Sequence, residues 1–329
     1  MTSKKPPFDI NEKIMSLVIE IAELTGRIGE KHQISTNPKL RRENRIKTIY
    51  SSLKIEQNTL DIKQVTDVIC GKRVLAPQKD ILEVRNAYKA YECIGSLDPY
   101  SMDDILKVHK IMTIGLVDDA GEFRQNQVGV VDQKGNILHF GTLPRYIPKL
   151  MEELLNWIKT SDVHMLIKSC VFHYELELIH PFSDGNGRMG RLWHTLLLSQ
   201  WNEVFAWLPV ESLIHDNQEE YYNVINRSNA NGNSTVFIEF MLSVIKQALS
   251  EAISVRTYDI PKSRMDLRTE KILKYLDKNE YIKNSDIQKL FKVSSATATR
   301  ILTKLFNDRV LKKIFIDGHW GYIKTPISR

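Results

Sequence analysis

Residues 180–191 read His180-Pro181-Phe182-Ser183-Asp184-Gly185-Asn186-Gly187-Arg188-Met189-Gly190-Arg191, and a helical pattern lies on each side of them. Before this stretch, apolar residues recur at the helical period from Val163 to Leu178, which predicts an amphipathic or buried helix. Proline disfavours the α conformation of the residue before it, so this helix is expected to end at about His180. A second helical pattern runs from Arg188 to Gln200. The stretch therefore predicts a loop between two helices, with His180 at the end of the first helix.

The side chains of this loop point to a bound phosphate. Free backbone N–H groups and the positive end of the helix dipole favour an anion at residues 185–187, where glycines let the backbone approach it closely. Arg188 and Arg191 lie on neighbouring turns of the same helix and can converge on one polyphosphate. Asp184 is a hard oxygen ligand suited to Mg²⁺. Because His180 can act as a general base near neutral pH, the loop predicts a nucleotide phosphate site with a base beside it.

Other interpretations of the same residues compete with a phosphate site. Gly185, Gly187 and Gly190 satisfy the dinucleotide-binding fingerprint, but that motif requires a preceding strand, and here a helix comes first. The sequence has no Gly-x-x-x-x-Gly-Lys-Ser/Thr run, which excludes a P-loop. Taken singly, a histidine before proline is more often a cap or a packed side chain, and an arginine pair is more often a solvated face. Their joint occurrence in one loop favours phosphate chemistry.

The stretch matches the motif His-x-Phe-x-Asp/Glu-Gly-Asn-Gly-Arg-x-x-Arg without a mismatch, and the sequence thereby resembles the Fic family. The resemblance implies an α-helical enzyme that transfers AMP from ATP to a Ser, Thr or Tyr hydroxyl of a target protein or of itself. It implies His180 as the base and Asp184 as the ligand of Mg²⁺ between the α- and β-phosphates. It assigns the anion hole and the phosphate clamps to Gly185, Asn186, Gly187, Arg188 and Arg191.

A charged helix is predicted over about residues 40–58, where Ser52 and Glu56 stand at i and i+4 on one face. In many Fic proteins a helix with Ser/Thr-x-x-x-Glu-Gly/Asn inserts its glutamate into the active site and obstructs ATP. This sequence departs from that pattern at Gln57. In that family the glutamate pairs with the second arginine of the motif, so the resemblance implies that Glu56 pairs with Arg191, where a carboxylate would compete with phosphate for the same guanidinium. The alternative is that Glu56 is a surface charge near a helix end.

A β-hairpin is predicted within residues 124–143, because short β-like runs at 128–131 and 137–140 flank a segment of turn composition. The hairpin resembles the Fic flap, which overhangs the active site and holds the target segment by strand addition. The alternative is a small structural ribbon. The flap interpretation assigns target docking to Ile137, Leu138, His139 and Phe140.

Residues 221–229 resemble the region that lines the adenine in Fic proteins. This resemblance implies that Tyr222 and Asn229 contact ATP. Tyrosines at helical spacing are more often core residues, which is the alternative.

Residues 261–329 predict a winged helix-turn-helix, since three short helices are followed by two strands around Asp317-Gly318. This tail holds 16 lysines and arginines against 7 acidic residues, a net charge of +9, while the other 260 residues carry −3. DNA is therefore one expected partner, and a docking or dimerisation module is the alternative. The residues expected to face DNA are Ser294, Ser295, Thr297, Thr299, Arg300, Lys304, Arg309, Lys312, Lys313 and His319.

The expected fold is mainly α: a Fic-type helical bundle with a small β-hairpin flap, plus the C-terminal winged helix-turn-helix domain. We expect an N-terminal helical region at 1–100, a Fic core at 101–258 and the tail at 261–329. The 329 residues, 42% of them apolar, can bury such cores.

Three scattered cysteines favour a reducing compartment, and no run approaches about 18 apolar residues, so a cytoplasmic protein that does not span a membrane is expected. The oligomeric state stays open, with a homodimer among the alternatives. Three functions remain open as well. They are an inhibited AMP transferase, a DNA-binding regulator whose Fic domain senses ATP, and a related reaction such as transfer of another phosphate moiety or removal of AMP.

Overall fold

The computed structural model describes residues 5–31, 38–131, 137–259, 264–307, 310–316 and 319–325. The chain divides into two compact units, Met1–Ser254 and Val255–Arg329. In the described parts of the chain, no helix combines the length and the apolar character that crossing a membrane requires.

The first unit is built almost entirely of helices, as predicted for a mainly α protein. A single antiparallel hairpin, β1 paired with β2, interrupts the described helical order, with Gly129 opposite Phe140. The elements are α1 Glu12–Lys31, α2 Pro38–Ile55, α3 Ile62–Ile69, α4 Gln78–Glu92, α5 Met102–Thr113, β1 Gly129–Val131, β2 Ile137–Phe140, α6 Ile147–Thr160, α7 Met165–Ile179, α8 Asn186–Trp201, α9 Val210–Asp216, α10 Gln218–Asn231 and α11 Thr235–Asp259, of which residues 255–259 fall in the second unit.

Helices α7 and α8 form the centre of this unit. Most residues of both helices are buried, including Phe172 on α7 and Trp193 on α8. A helix that is apolar on all sides belongs in a core, which explains why α7 shows no one-sided stripe. The indole N–H of Trp193 donates to the carbonyl of Pro99 and so ties α8 to the segment before α5. The two central helices therefore carry the 180–191 loop on a rigid base.

Local sequence signals set the ends of several helices. Ser101 caps α5 by accepting from the backbone N–H of Asp104, as its spacing predicts. Helix α7 ends at Ile179, and His180 then takes a left-handed conformation with φ 52° and ψ 61°. Helix α8 begins at Asn186 after Gly185, which has φ 88°. The predicted helix–loop–helix arrangement of residues 180–191 is confirmed.

The second unit contains three helices followed by a hairpin, the order predicted for its sequence. Its core contains Ile272, Ile287, Ile301 and Leu305. The backbone of Ile282 exchanges two hydrogen bonds with that of Tyr322, which adds a bridge to the hairpin. The elements are α12 Arg264–Leu276, α13 Asn284–Phe291, α14 Ser295–Asn307, β3 Leu311–Ile316 and β4 His319–Lys324.

Candidate active site

His180 lies where α7 ends, and the chain around it is held by a buried arginine. The Nε of Arg124 donates to the carbonyl of His180 at 2.7 Å, and its Nη2 donates to the carbonyl of Thr142 at 2.6 Å. The backbone N–H of Arg124 donates to Pro181 at 3.1 Å. Arg124 therefore joins both ends of the hairpin segment to the histidine. No pattern in the sequence indicates this role, because the partners of Arg124 are backbone carbonyls.

The loop after His180 is fixed by its own side chains. The amide of Asn186 bonds the backbone of Phe182 twice, accepting from its N–H and donating to its carbonyl, each at 2.9 Å. Phe182 stacks on His109 with ring centroids 3.7 Å apart. His109 accepts from the N–H of Gly121 and approaches the carbonyl of Asp184 at 3.0 Å, and burial lowers its pKa. The side chain of Asn186 thus shapes the loop, and only its backbone is left to face an anion.

Asp184, in the loop just before α8, forms an ion pair with Arg188 on the first turn of that helix. The Nη2 of Arg188 lies 2.9 Å from the Oδ1 of Asp184, and Nη1 lies 3.9 Å from Glu83. Burial by itself would raise the pKa of Asp184, but the charge and the hydrogen bond of Arg188 bring it below its usual range. Since 45% of the Asp184 side chain is exposed, an ionised carboxylate faces solvent at the loop. Glu83 is a partner that sequence reasoning missed, since it lies more than a hundred residues before Arg188.

Arg191 is bonded to both residues predicted to form the inhibitory face of α2. Its Nη2 donates to Glu56 Oε1 at 2.6 Å and to the backbone carbonyl of Ser52 at 3.0 Å, while Nε donates to Ser52 Oγ at 3.0 Å. The Arg191 side chain is only 2% exposed. Burial opposes its charge, yet Glu56 raises the pKa of Arg191 above its ordinary value. Gly187 permits this approach, because a β-carbon there would lie 2.5 Å from Glu56 Oε1.

The two residues suggested for adenine lie on α10. Tyr222 is half-buried, and burial together with the charge of Glu56 raises its pKa. Asn229 lies two turns further along and accepts from the hydroxyl of Tyr174 at 2.9 Å. Gln218 on the same helix donates to the carbonyl of Ile55 at 3.0 Å, which joins α10 to the end of α2. Tyr222 therefore belongs to the surroundings of the Glu56–Arg191 pair, whereas Asn229 is placed by Tyr174.

The predicted docking residues Ile137, Leu138, His139 and Phe140 form strand β2, and their backbone is the part of them that the structure describes. The turn between the strands, residues 132–136, lies outside the described residues. In the second unit, Ser294, Ser295, Thr299, Arg300 and Lys304 are exposed on or beside α14, and Lys312 and Lys313 are exposed on β3. Thr297 is half-buried. Arg309 and the side chain of His319 lie outside the described residues.

Comparison with known proteins agrees with this geometry. The model of the Fic/DOC family matches residues 99–198. A Fic family protein from Desulfovibrio desulfuricans G20 is 37% identical, with a TM-score of 0.74 over 99% of this chain and 100% of that one. A Fic-1 fragment from Caenorhabditis elegans is 20% identical, with a TM-score of 0.61 over 75% of this chain and 72% of that one, and shares the fold.

Curated relatives extend the comparison beyond solved structures. The protein adenylyltransferase Fic of Nematostella vectensis is 28% identical over 64% of this chain and 49% of its own length. The protein adenylyltransferase fic-1 of Caenorhabditis elegans is 28% identical over 62% of this chain and 40% of its own length. The chain thus spans about half the length, or less, of these two relatives. A solved Fic family structure matches 99% of this chain at 37% identity, and the motif lies where α7 leads into α8. The chain therefore belongs to the Fic family.

Proposed function

We propose that this chain transfers AMP from ATP to a Ser, Thr or Tyr hydroxyl of a target protein or of itself, and that Glu56 holds it in check. The observation that carries the proposal is Arg191, a buried guanidinium on the first turns of α8 that Glu56 occupies. Relatives named protein adenylyltransferase support the reaction type.

The transfer begins at His180, which accepts the proton of the target hydroxyl. The hydroxyl oxygen then forms a bond to the α-phosphorus, and the bond from that phosphorus to the pyrophosphate oxygen breaks. Charge grows on the phosphate oxygens in this step, and the free N–H groups at the start of α8 are placed to stabilise it. The left-handed Gly185 turns the backbone toward that position.

Asp184 is the residue that would hold Mg²⁺ beside the phosphates. Among the residues that the structure describes, no group of three or more His, Cys, Asp or Glu side chains could hold a metal ion. Mg²⁺ commonly binds through one or two carboxylates and completes its shell with water and phosphate oxygens, so a single exposed aspartate fits it. The bound ion would neutralise charge on the phosphate oxygens. Arg188 already orients the carboxylate.

Inhibition follows from the position of Glu56. The pair with Arg191 is a charge-assisted hydrogen bond to a buried guanidinium, and a phosphate must displace the carboxylate to use that guanidinium. Ser52 holds Arg191 from the preceding turn of α2. We infer that ATP binds productively only when the end of α2 withdraws Glu56.

The hairpin β1–β2 is the element we assign to target docking. Arg124 and Thr142 fasten its flanks to His180 and Ile179, which places the hairpin segment beside the base. An extended target segment that adds to a hairpin edge is recognised through its backbone, which would present the acceptor hydroxyl to His180. This mode of binding requires little of the target sequence.

The reaction is tested with ATP labelled at either the α- or the γ-phosphate, followed on protein. We expect α-label to transfer in the presence of Mg²⁺, to increase in Glu56→Gly and to disappear in His180→Ala, with no γ-label on protein. Transfer of γ-label would show that another phosphate moiety moves at this site. Loss of label from protein that already carries AMP would show the reverse reaction. Either result would overturn the proposed direction or group.

A second candidate function concerns the Val255–Arg329 unit. Its excess of basic residues and the exposed Arg300 and Lys304 on α14 favour DNA as its partner. We propose DNA binding as an activity separate from phosphate transfer. If the Val255–Arg329 unit does not retain DNA, it is instead a docking module for protein.

A further inference from the structure

Glu177 is a charged residue inside the site for which the chemistry above has no role. It lies on the last turn of α7, three residues before His180, and its side chain is only 13% exposed. Its Oε2 lies 4.0 Å from the Nδ1 of His180, and its backbone carbonyl lies 3.3 Å from the same nitrogen. Two oxygens of one residue therefore face one nitrogen of the proposed base.

The other carboxylate oxygen of Glu177 faces α8 and the inhibitory contact. A β-carbon at Gly187 would lie 3.3 Å from Glu177 Oε1, and one at Gly190 would lie 3.6 Å from it. The same position at Gly187 is 2.5 Å from Glu56 Oε1 and 3.0 Å from Arg191 Nη1. Glu56, Arg191 and Glu177 therefore converge on one glycine at the start of α8.

The charge of Glu177 responds to its neighbours. Burial raises the pKa of Glu177 to about 7, Arg191 lowers it, and the negative charge of Glu56 raises it. From α10, Tyr221 and Tyr222 also face this carboxyl, and both hydroxyls are neutral near pH 7 because burial raises their pKa. Glu177 thus changes charge near neutral pH, and Glu56 favours its neutral form.

We propose that Glu177 is a positioning residue for His180 and that Glu56 weakens it. The carboxylate of Glu177, 4.0 Å from Nδ1 of His180, favours a proton on that nitrogen through its negative charge and adds to the effect of the backbone carbonyl at 3.3 Å. This leaves the lone pair of Nε2 for the target hydroxyl, as when an acid orients a histidine base. While Glu56 lies beside it, Glu177 is more often a neutral acid and a poorer acceptor. The inhibitory contact acts on the base as well as on Arg191. This inference rests on the proposed function of His180.

The first test measures the tautomer of His180 without any reaction. Full-length protein with ¹⁵N-labelled histidine is compared at one pH above 7 as Glu56→Gly, Glu56→Gly/Glu177→Gln and Glu56→Gly/Glu175→Gln. Glu175 lies on the same helix and serves as the matched control. The signals of His180 are those lost in His180→Ala. We expect Nδ1 to carry the proton in the first and third proteins and both tautomers to appear in the second. The same ratio of His180 tautomers in all three proteins would overturn the proposal.

The second test is the pH dependence of α-label transfer in the same variants. Glu177→Gln keeps the shape of the side chain but not its charge. Loss of the partner that orients a histidine costs roughly ten- to hundred-fold in metal sites, and we expect transfer to slow by a factor of that order here. Glu177→Gln should also remove one ionisation from the rate profile of Glu56→Gly, in which the rate rises as Glu177 loses its proton, at a pH below the pKa of about 7 that Glu177 has beside Glu56. A purely structural role would lower the rate equally at every pH and would contradict the proposal. If no variant transfers label, the proposed function fails and the tautomer measurement alone decides the role of Glu177.

Discussion

The backbone of one residue, Gln57, determines how α2 delivers Glu56. Gln57 is left-handed, with φ 64°, and its N–H donates to Lys54 while that of Asn58 donates to Leu53. These two bonds form a Schellman motif with Gln57 at the position after the cap, where glycine or asparagine is favoured. Glycine or asparagine at this position of the Fic pattern therefore has a conformational reason. Gln57 takes the same left-handed conformation at a cost in free energy.

Replacement of Gln57 by glycine should stabilise the protein. A residue other than glycine costs about 1–2 kcal/mol in this conformation. Glycine avoids that cost but loses more conformational entropy on folding, so the net gain in stability is smaller. We expect Gln57→Gly to raise the free energy of unfolding by about 0.5–1 kcal/mol, measured by urea denaturation. Gln57→Ala is the control, because it removes the same side chain but keeps the strain. Equal stability of the two variants would show that the conformation is not strained.

Sequence reasoning at this scale succeeded for residues that the resemblance to the Fic family names. The motif and the spacing of Ser52 and Glu56 led to the pairing with Arg191 that the structure shows. It missed Glu83, Arg124 and Glu177. Glu83 contacts the site from a distant segment of the chain. Arg124 binds backbone carbonyls, which every residue has and which a sequence pattern therefore does not single out. Glu177 looks like any charged residue at a helix end until its burial is known.

Two helices at the centre of the first unit, α7 and α8, pack closely because one position between them has no side chain. A β-carbon on Gly190 would lie 2.8 Å from the Cδ2 of His173, whose Nε2 lies 3.1 Å from the hydroxyl of Tyr221. The helical period predicted α7 and α8. It could not predict the contact between His173 and Tyr221, because these two residues lie on different helices and far apart in the sequence. Gly190, the last glycine of residues 180–191, thus serves the packing of α8 against α7.

Gly190→Ala and Gly26→Ala are matched glycine-to-alanine changes in two helices, and together they test this packing. A methyl group at Gly190 overpacks a buried ring, which typically costs about 1–3 kcal/mol. Gly26 lies in α1 with nothing within 4 Å of an added β-carbon, so alanine there should stabilise the helix by up to about 1 kcal/mol. Thermal unfolding should give a lower Tm for the first variant and an equal or higher Tm for the second. A Gly190→Ala protein as stable as wild type would contradict the packing described for α7 and α8.

The whole molecule carries opposite charges on its two parts. The tail from residue 261 carries +9 and the rest carries −3, so a nucleic-acid partner of the chain should be held by the tail. This division was visible in the sequence, as was the order of helices and strands in the tail. Of the residues predicted to contact DNA, Arg309 and the side chain of His319 lie outside the described residues, and the DNA-binding surface stays a prediction.

If the tail binds DNA, affinity should fall linearly with salt on logarithmic axes, because contacts to phosphate release counterions. Loss of one phosphate contact should reduce that slope by about one. We expect this reduction for Arg300→Ala or Lys304→Ala and no change for Lys63→Ala, an exposed lysine on α3. Retention should also survive His180→Ala. Absence of any salt-dependent retention would show that the unit is not a DNA-binding module.

The restraint of AMP transfer by Glu56 is tested most directly by the initial rate of α-label transfer in full-length Glu56→Gly relative to wild type. A hydrogen bond to a charged group contributes roughly 1.5–3 kcal/mol, which corresponds to about a ten- to hundred-fold change. We predict that the rate rises by this factor. It should stay at the wild-type level in Glu43→Gly, which makes the same change at an exposed site of α2. Equal rates in the wild type and Glu56→Gly would contradict the claim that this glutamate restrains the enzyme.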